Sequence, residues 1–212
     1  MPTITRIVEG KRRKNRRNVY LDGAFAFACN INVVARFRLV EGLQLTPDQV
    51  LQILQGDVRQ ECLDDAMRSL QNRLHSRKEL ATKLLRKEYG QSTIDGVLND
   101  LERMGYIDDA RFAQTKAMSA AEHKHHGKRR AKIELMKAGV DASTADLALK
   151  DVYDRHDSLA VARELARKQS GRLLKLEPAV ARRRLVGMLQ RRGFEYDAIK
   201  PVVDEVLGED RD

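Results

Sequence analysis

Apolar positions alternate weakly over the first thirty residues and then recur at helical spacing from Leu45 onward. Thr3 to Val8, Asn18 to Leu21 and Ala24 to Ala28 read as short strands. Asp22-Gly23 between the last two marks a hairpin turn, because both residue types tolerate positive φ. A small antiparallel sheet is therefore expected at the amino end. Thr46-Pro47-Asp48-Gln49 is a capping box with Pro at the first helical position, predicting a helix through about Gln55. After Gly56 a second helix is predicted to about Leu74, with Cys62, Ala66, Leu70 and Leu74 on one stripe. Ser76-Arg77-Lys78-Glu79 is a further capping box and opens another helix.

The helical region repeats. Leu80, Leu84, Tyr89, Ile94, Val97, Leu98 and Leu101 correspond to Ala131, Leu135, Val140, Ala145, Ala148, Leu149 and Val152 in a second copy. Leu185, Leu189, Phe194, Ile199, Val202, Val203 and Val206 form a third. Each copy reads helix, tight turn, helix. Gly139 and Gly193 stand at the turn, where a helix ends on a left-handed residue, whereas the first copy has Glu88 there. Copies one and two add a third helix, about Asp109 to Ala121 and Ser158 to Gln169, and the last copy stops near Leu207. Such units cannot each bury an apolar face alone and must stack. The expected fold is mainly α: tandem three-helix repeats, three copies with the last truncated, in an elongated stack behind a small antiparallel β-hairpin module. The expected boundaries are 1–44 for that module with its basic loop, 45–75 for connecting helices, and 76–122, 123–171 and 172–212 for the repeats.

Composition agrees with this reading. The chain has 212 residues with no Trp and only five Phe and five Tyr, so its core must be aliphatic. Four Pro and 13 Gly are too few for the turns of a large β-sandwich. Cys29 and Cys62 cannot build a disulfide framework or a four-ligand metal site, and read as small buried thiols of a cytoplasmic protein. No run of about 18 apolar residues suits a membrane span, and Met1 to Gly10 lacks the apolar stretch of a signal peptide.

Catalytic patterns are not found: neither phosphate-cradling glycine loop, nor HExxH, CxxC or GxSxG. His123, His125 and His126 lie in a cationic stretch that disfavours a divalent ion, so they read as a solvated helix end. Asp108 and Asp109 read as helix caps rather than a carboxylate pair. Hence no catalytic residue, no cofactor and no metal is expected.

Charge is where the sequence becomes specific. Forty Lys and Arg outnumber 31 Asp and Glu, giving +9. Residues 1–60 hold ten cations and five carboxylates. Six of those cations crowd into Lys11, Arg12, Arg13, Lys14, Arg16 and Arg17, a segment that self-repulsion should keep extended and exposed. In the repeats, the first helices carry +4 (77–87), +4 (128–137) and +5 (179–192), while the second carry −3 (92–102), −2 (142–154) and −3 (195–206). Either these faces neutralise one another, or equivalent helices line a basic stripe suited to a long polyanion or a repetitive assembly. Operator reading by tandem helix-turn-helix units is disfavoured, since the second helices are the acidic ones.

The pattern Arg73-Leu74-His75-Ser76-Arg77-Lys78-Glu79-Leu80, the run Gly105 to Ala113, and Gly127 with Arg130, Ile133, Glu134, Leu135 and Gly139 resemble the RecX regulatory proteins of bacteria. Arg191-Arg192-Gly193-Phe194 extends the resemblance, which spans about 58–207, and the Asp22-Gly23 hairpin is similar to the amino-terminal extension of longer members. Glu88 in place of the usual glycine and the strongly basic Lys11 to Arg17 loop are departures from that family. The resemblance implies a non-enzymatic modulator of the RecA recombinase. It would lodge in the RecA filament on single-stranded DNA and suppress ATP hydrolysis, strand exchange and co-protease activity, with consequences for DNA repair, recombination and the SOS response. The partner so implied is that filament; the basic segments add direct contact with DNA, the lack of an apolar run argues against a membrane, and a monomer is expected because no uncompensated apolar stripe stands out. Arg77, Lys83, Lys87, Lys128, Arg129, Arg130 and Arg182, Arg183 and Arg184, with the amino-terminal loop, are the candidate contacts to DNA phosphates or acidic filament surfaces. The competing reading is a general nucleic-acid binder working through phosphate contacts.

Overall fold

A computed structural model describes residues 1–11 and 13–208. Two compact units emerge, Met1–Leu74 with Leu80–Ile107, and His75–Glu79 with the chain from Asp108 onward.

The first unit opens with β1 (Ile4–Glu9), β2 (Arg16–Leu21) and β3 (Ala24–Asn30), antiparallel in the order β1-β2-β3. The hairpin turn is as expected, with Asp22 and Gly23 at φ 48° and 86°. Val19 faces Phe27 across the β2–β3 pair, and both are buried with Ile4, Cys29, Val33 and Ile53. A short helix that the sequence did not suggest, α1 (Ile31–Arg36), follows β3 directly. Its Val33-Val34 pair looks like strand, but Asn30 caps the Asn32 N–H at 2.9 Å and Val33 enters the core, so packing overrides propensity.

Helix α2 (Pro47–Asn72) corrects a second expectation, for it runs unbroken through Gly56. A β-carbon on Gly56 would lie 2.8 Å from the Phe37 ring. The glycine is there to let the ring approach, and the surrounding contacts offset its helix penalty of about 1 kcal/mol. The Thr46–Gln49 capping box forms in both directions. Cys62 and Ala66 of α2 then bury Leu80 and Leu84 of α3 (Arg77–Leu85) and Ile94, Val97, Leu98 and Leu101 of α4 (Gln91–Arg103).

In the second unit α5 (Asp109–Glu122), α6 (Lys128–Lys137) and α7 (Ala142–Tyr153) pack together, and α8 (Ser158–Leu173), α9 (Pro178–Arg191) and α10 (Tyr196–Leu207) do likewise. Packed this way, the last triplet begins at α8, which the sequence comparison attached to the second copy. The aligned apolar positions hold: all seven of the second copy are buried, as are six of seven in each of the others, with Tyr89 and Val206 partly covered. Asp108 caps α5 through the Arg111 N–H at 2.9 Å, while Asp109 accepts from the Arg77 N–H at the start of α3.

The second and third copies are joined through main chain. Carbonyls ending α9 accept from the start of α6: Arg192 from the Gly127 N–H at 2.8 Å and Gly193 from the Arg129 N–H at 3.3 Å. At the equivalent place one copy earlier, the Ser76 hydroxyl donates to the Ala138 carbonyl that ends α6. The negative end of α9 thus lies against the positive start of α6.

Candidate functional site

The cations nominated by sequence divide into those already paired and those left open. Arg16 belongs to the first class and corrects the picture of an exposed basic loop. It is a β2 residue, its guanidinium 2.9 Å from Asp57 and 2.7 Å from Glu61, with a third bond to the Ala28 carbonyl. Asp57 also accepts from the buried Asn30 N–H at 2.7 Å. Charge repulsion within the loop is outweighed here by carboxylates that α2 brings under the strand. Arg17, likewise in β2, is held near Glu9 and bonds the Lys14 carbonyl. Lys11, Arg13 and Lys14 are exposed, and Arg12 lies outside the described residues.

Lys87 is also committed. Its ammonium sits 2.7 Å from Asp65, which accepts as well from Arg68 and from the Tyr89 hydroxyl. Burial alone would raise the Asp65 carboxyl, but the bonds from Lys87 and Tyr89 outweigh it and hold the group below the usual range. Burial, reinforced by Asp65, pushes the Tyr89 phenol up. The cavity of about 300 Å³ beside them mixes Arg13, Arg16 and Arg68 with Glu61, Asp64 and Asp65, and is largely self-neutralised.

In the second unit, acidic helices take one side of the basic ones. Lys132 of α6 reaches Asp146 of α7 at 2.6 Å, and Arg182 of α9 reaches Asp204 of α10 at 2.7 Å. Arg163 and Arg167 share Glu205. On the opposite side, among the described residues, cations outnumber carboxylates, and Arg130 alone of those lining it has an ion pair. Arg129, Arg130, Lys137 and Arg191 line a groove of about 570 Å³ between α6 and α9, where the one carboxylate, Glu134, is occupied by Lys124, His126 and Arg130. Arg191 also lines a neighbouring cavity of about 610 Å³ with Arg172, Arg183 and Arg184. Of the nominated residues, the structure thus places Arg129 and Arg130 in one basic lobe and Arg183 and Arg184 in its neighbour, with Arg191 lining both. Arg182 points away to Asp204, Lys128 is exposed, and Arg77 and Lys83 belong to α3.

Sequence reasoning missed Lys137, Arg172 and Arg191. Lys137 and Arg191 close their helices at the basic last turn, a signal that was readable. Arg172 stands likewise in the last turn of α8, a helix of four cations and one carboxylate. His126 is mostly buried, and burial lowers its pKa from the ordinary value, so the solvated helix-end reading does not hold for it.

Four family models match the chain in order: the regulatory protein RecX N-terminal domain at 2–46, and the first, second and third RecX three-helix domains at 62–101, 108–149 and 156–203. The chain belongs to the RecX family. RecX models set the triplets in the phase that packing shows, with the third beginning in α8. A regulatory protein RecX of Leuconostoc mesenteroides is 29% identical over 212 residues, covering 100% of this chain and 79% of that protein. RecX of Clostridium acetobutylicum is 28% identical, covering 98% and 97%. A crystal structure of a regulatory protein RecX superposes with a TM-score of 0.77 over 96% of this chain and 100% of its own, at 23% identity, and so supports the fold. RecX from Lactobacillus salivarius gives 0.63 at 24% identity, over 71% of this chain and 97% of its own. The RecX relatives carry a regulatory name, and no helix among the described residues is long and apolar enough to cross a membrane.

Proposed function

We propose that this protein binds the RecA filament on single-stranded DNA and lowers its ATP hydrolysis, strand exchange and co-protease activity. It acts by binding, without chemistry of its own, as a cytoplasmic monomer in DNA repair and recombination. The observation that supports this most is the basic groove along α6, α8 and α9: seven cations on one side of a RecX fold, set apart from the faces where acidic helices neutralise their neighbours. A filament repeats its anionic surfaces at fixed spacing, which an array of equivalent helices can match.

The test titrates the protein, far below the RecA concentration, into DNA-stimulated ATP hydrolysis at a salt level where its own DNA binding is absent. Inhibition is expected, and it should weaken when Arg183, Arg184 and Arg191 are changed together to Ser. No effect until the DNA is saturated would instead select the second reading, plain phosphate binding, which the exposed Lys11, Arg13 and Lys14 favour.

A further inference from the structure

The groove contains more than charge. Ile133, 48% exposed, lies among Arg129, Arg130 and Lys137 in one lobe, and Leu173, Leu176 and Met188 line the other beside Arg183 and Arg184. No Phe, Tyr or Trp lines either lobe. Surfaces that hold single-stranded nucleic acid without sequence preference combine cations with aromatic rings on which bases stack. Here the rings are missing and aliphatic side chains take their place, an environment that a base face or a sugar-phosphate chain leaves unused.

The cations also resist the bland account of a solvated face. Arg184 and Arg191 lie two turns apart on one edge of α9, and Arg172 adds a third guanidinium to the same cavity. Like charges gathered this way repel, although 31 carboxylates are available in the chain and the other side of α9 uses one of them. Six of the seven cations are Arg, whose planar fork pairs with carboxylates in two parallel bonds. The two lobes, about 570 and 610 Å³, are neighbours that share Arg191.

From this we infer that the groove receives an acidic segment of a protein partner, in which Glu or Asp side chains engage the arginines and interspersed aliphatic side chains cover Ile133 and the Leu176–Met188 floor. The inference rests on the filament reading for the partner's setting and deepens it: what the groove grips is protein rather than DNA.

The binding experiment uses the full chain alone and is read beside the RecA assay above. Fluorescence anisotropy at physiological salt would compare a labelled peptide rich in Glu and Leu, its Leu→Ser counterpart and an oligothymidine of matched charge, all against the full chain. The Glu/Leu peptide should bind about tenfold or more tightly than either control, the difference expected from burying one or two aliphatic side chains. Ile133→Ser, at a half-exposed position, should remove much of that advantage without changing the Leu→Ser control, and Arg184→Ser with Arg191→Ser should weaken both peptides. Circular dichroism melting would confirm that the variants fold. Oligothymidine binding as tightly as the Glu/Leu peptide would overturn the inference in favour of nucleic acid, and equal peptide binding by all variants would overturn the placement. RecA inhibition that survives without peptide binding sinks this inference alone. Peptide binding that survives without RecA inhibition sinks the filament reading alone.

Discussion

A β-carbon added to Gly193 would fall 2.4 Å from the backbone nitrogen of Arg130. Gly139 stands in the same relation to the Lys78 side chain, at 2.3 Å, and both glycines hold φ near +85 to +89°. The third turn residue, Glu88, adopts φ 65° but is exposed. A left-handed turn is thus common to all three copies, and close approach of a neighbouring helix start adds a second demand at two of them.

Gly193→Ala should therefore lose stability twice over, to backbone strain and to displacement of α6, by at least about 2 kcal/mol. Glu88→Gly should go the other way, gaining up to ~1 kcal/mol by relieving left-handed strain where nothing crowds the site. Urea unfolding of both variants checks this; equal effects in the same direction would refute the distinction.

Arg16→Ala leaves buried Asp57 without its ion pair and is expected to cost about 1–3 kcal/mol. Lys11→Ala and Lys14→Ala should stay within about 0.5 kcal/mol, as exposed residues do. A loss shared equally by all three would contradict the assignment of Arg16 to the fold.

Arg182 and Arg184 lie two residues apart yet should separate cleanly. Arg182→Ser frees Asp204 and should reduce stability by about 1 kcal/mol, leaving the salt dependence of filament binding unchanged. Arg184→Ser should do the reverse, lowering the slope of affinity against salt concentration without a shift in the unfolding midpoint.

Asp65 supplies an acid-sensitive contribution. Its folded pKa lies below the unfolded value, so the stabilisation is fully present above about pH 4 and is lost as pH falls toward the folded value. Asp65→Asn should flatten the decline in unfolding free energy below about pH 4. A decline as steep as that of the unaltered chain would show that other carboxylates dominate.

Cys29 and Cys62 should be inert. Burial pushes both thiols up to about 11, with Asp57 and Asp65 adding to it, so at pH 8 only about one in a thousand is thiolate. Mass spectrometry after iodoacetamide treatment should show alkylation only once the chain is unfolded.

How far the sequence could be read depended on whether the signal was local. Leu80, Leu135 and Leu189 could be placed in the core because helical spacing and repetition reinforced each other. Gly56 could not, since its reason is Phe37, nineteen residues earlier and on another element. Arg16 looked like one more exposed cation because Asp57 and Glu61 meet it only after α2 packs beneath the sheet. The groove was half legible: alternating helix charge revealed basic faces, but which of Arg182, Arg183 and Arg184 faces outward is a matter of rotation about α9, and it is tertiary packing that brings the last turn of α8, with Arg172, beside them.

The joints between copies have an evolutionary corollary. Gly127, Arg129, Arg192 and Gly193 meet through amides and carbonyls; a β-carbon is excluded at Gly127 and Gly193 by the facing backbone, while the hydrogen bonds themselves ask nothing of the Arg129 and Arg192 side chains. Side chains on the outer faces can drift freely while such a joint keeps its register, as Ser76 and Gly127 already illustrate by filling one role with different groups. A duplicated unit would find its docking partner ready-made, so array length and surface specificity could evolve as independent variables.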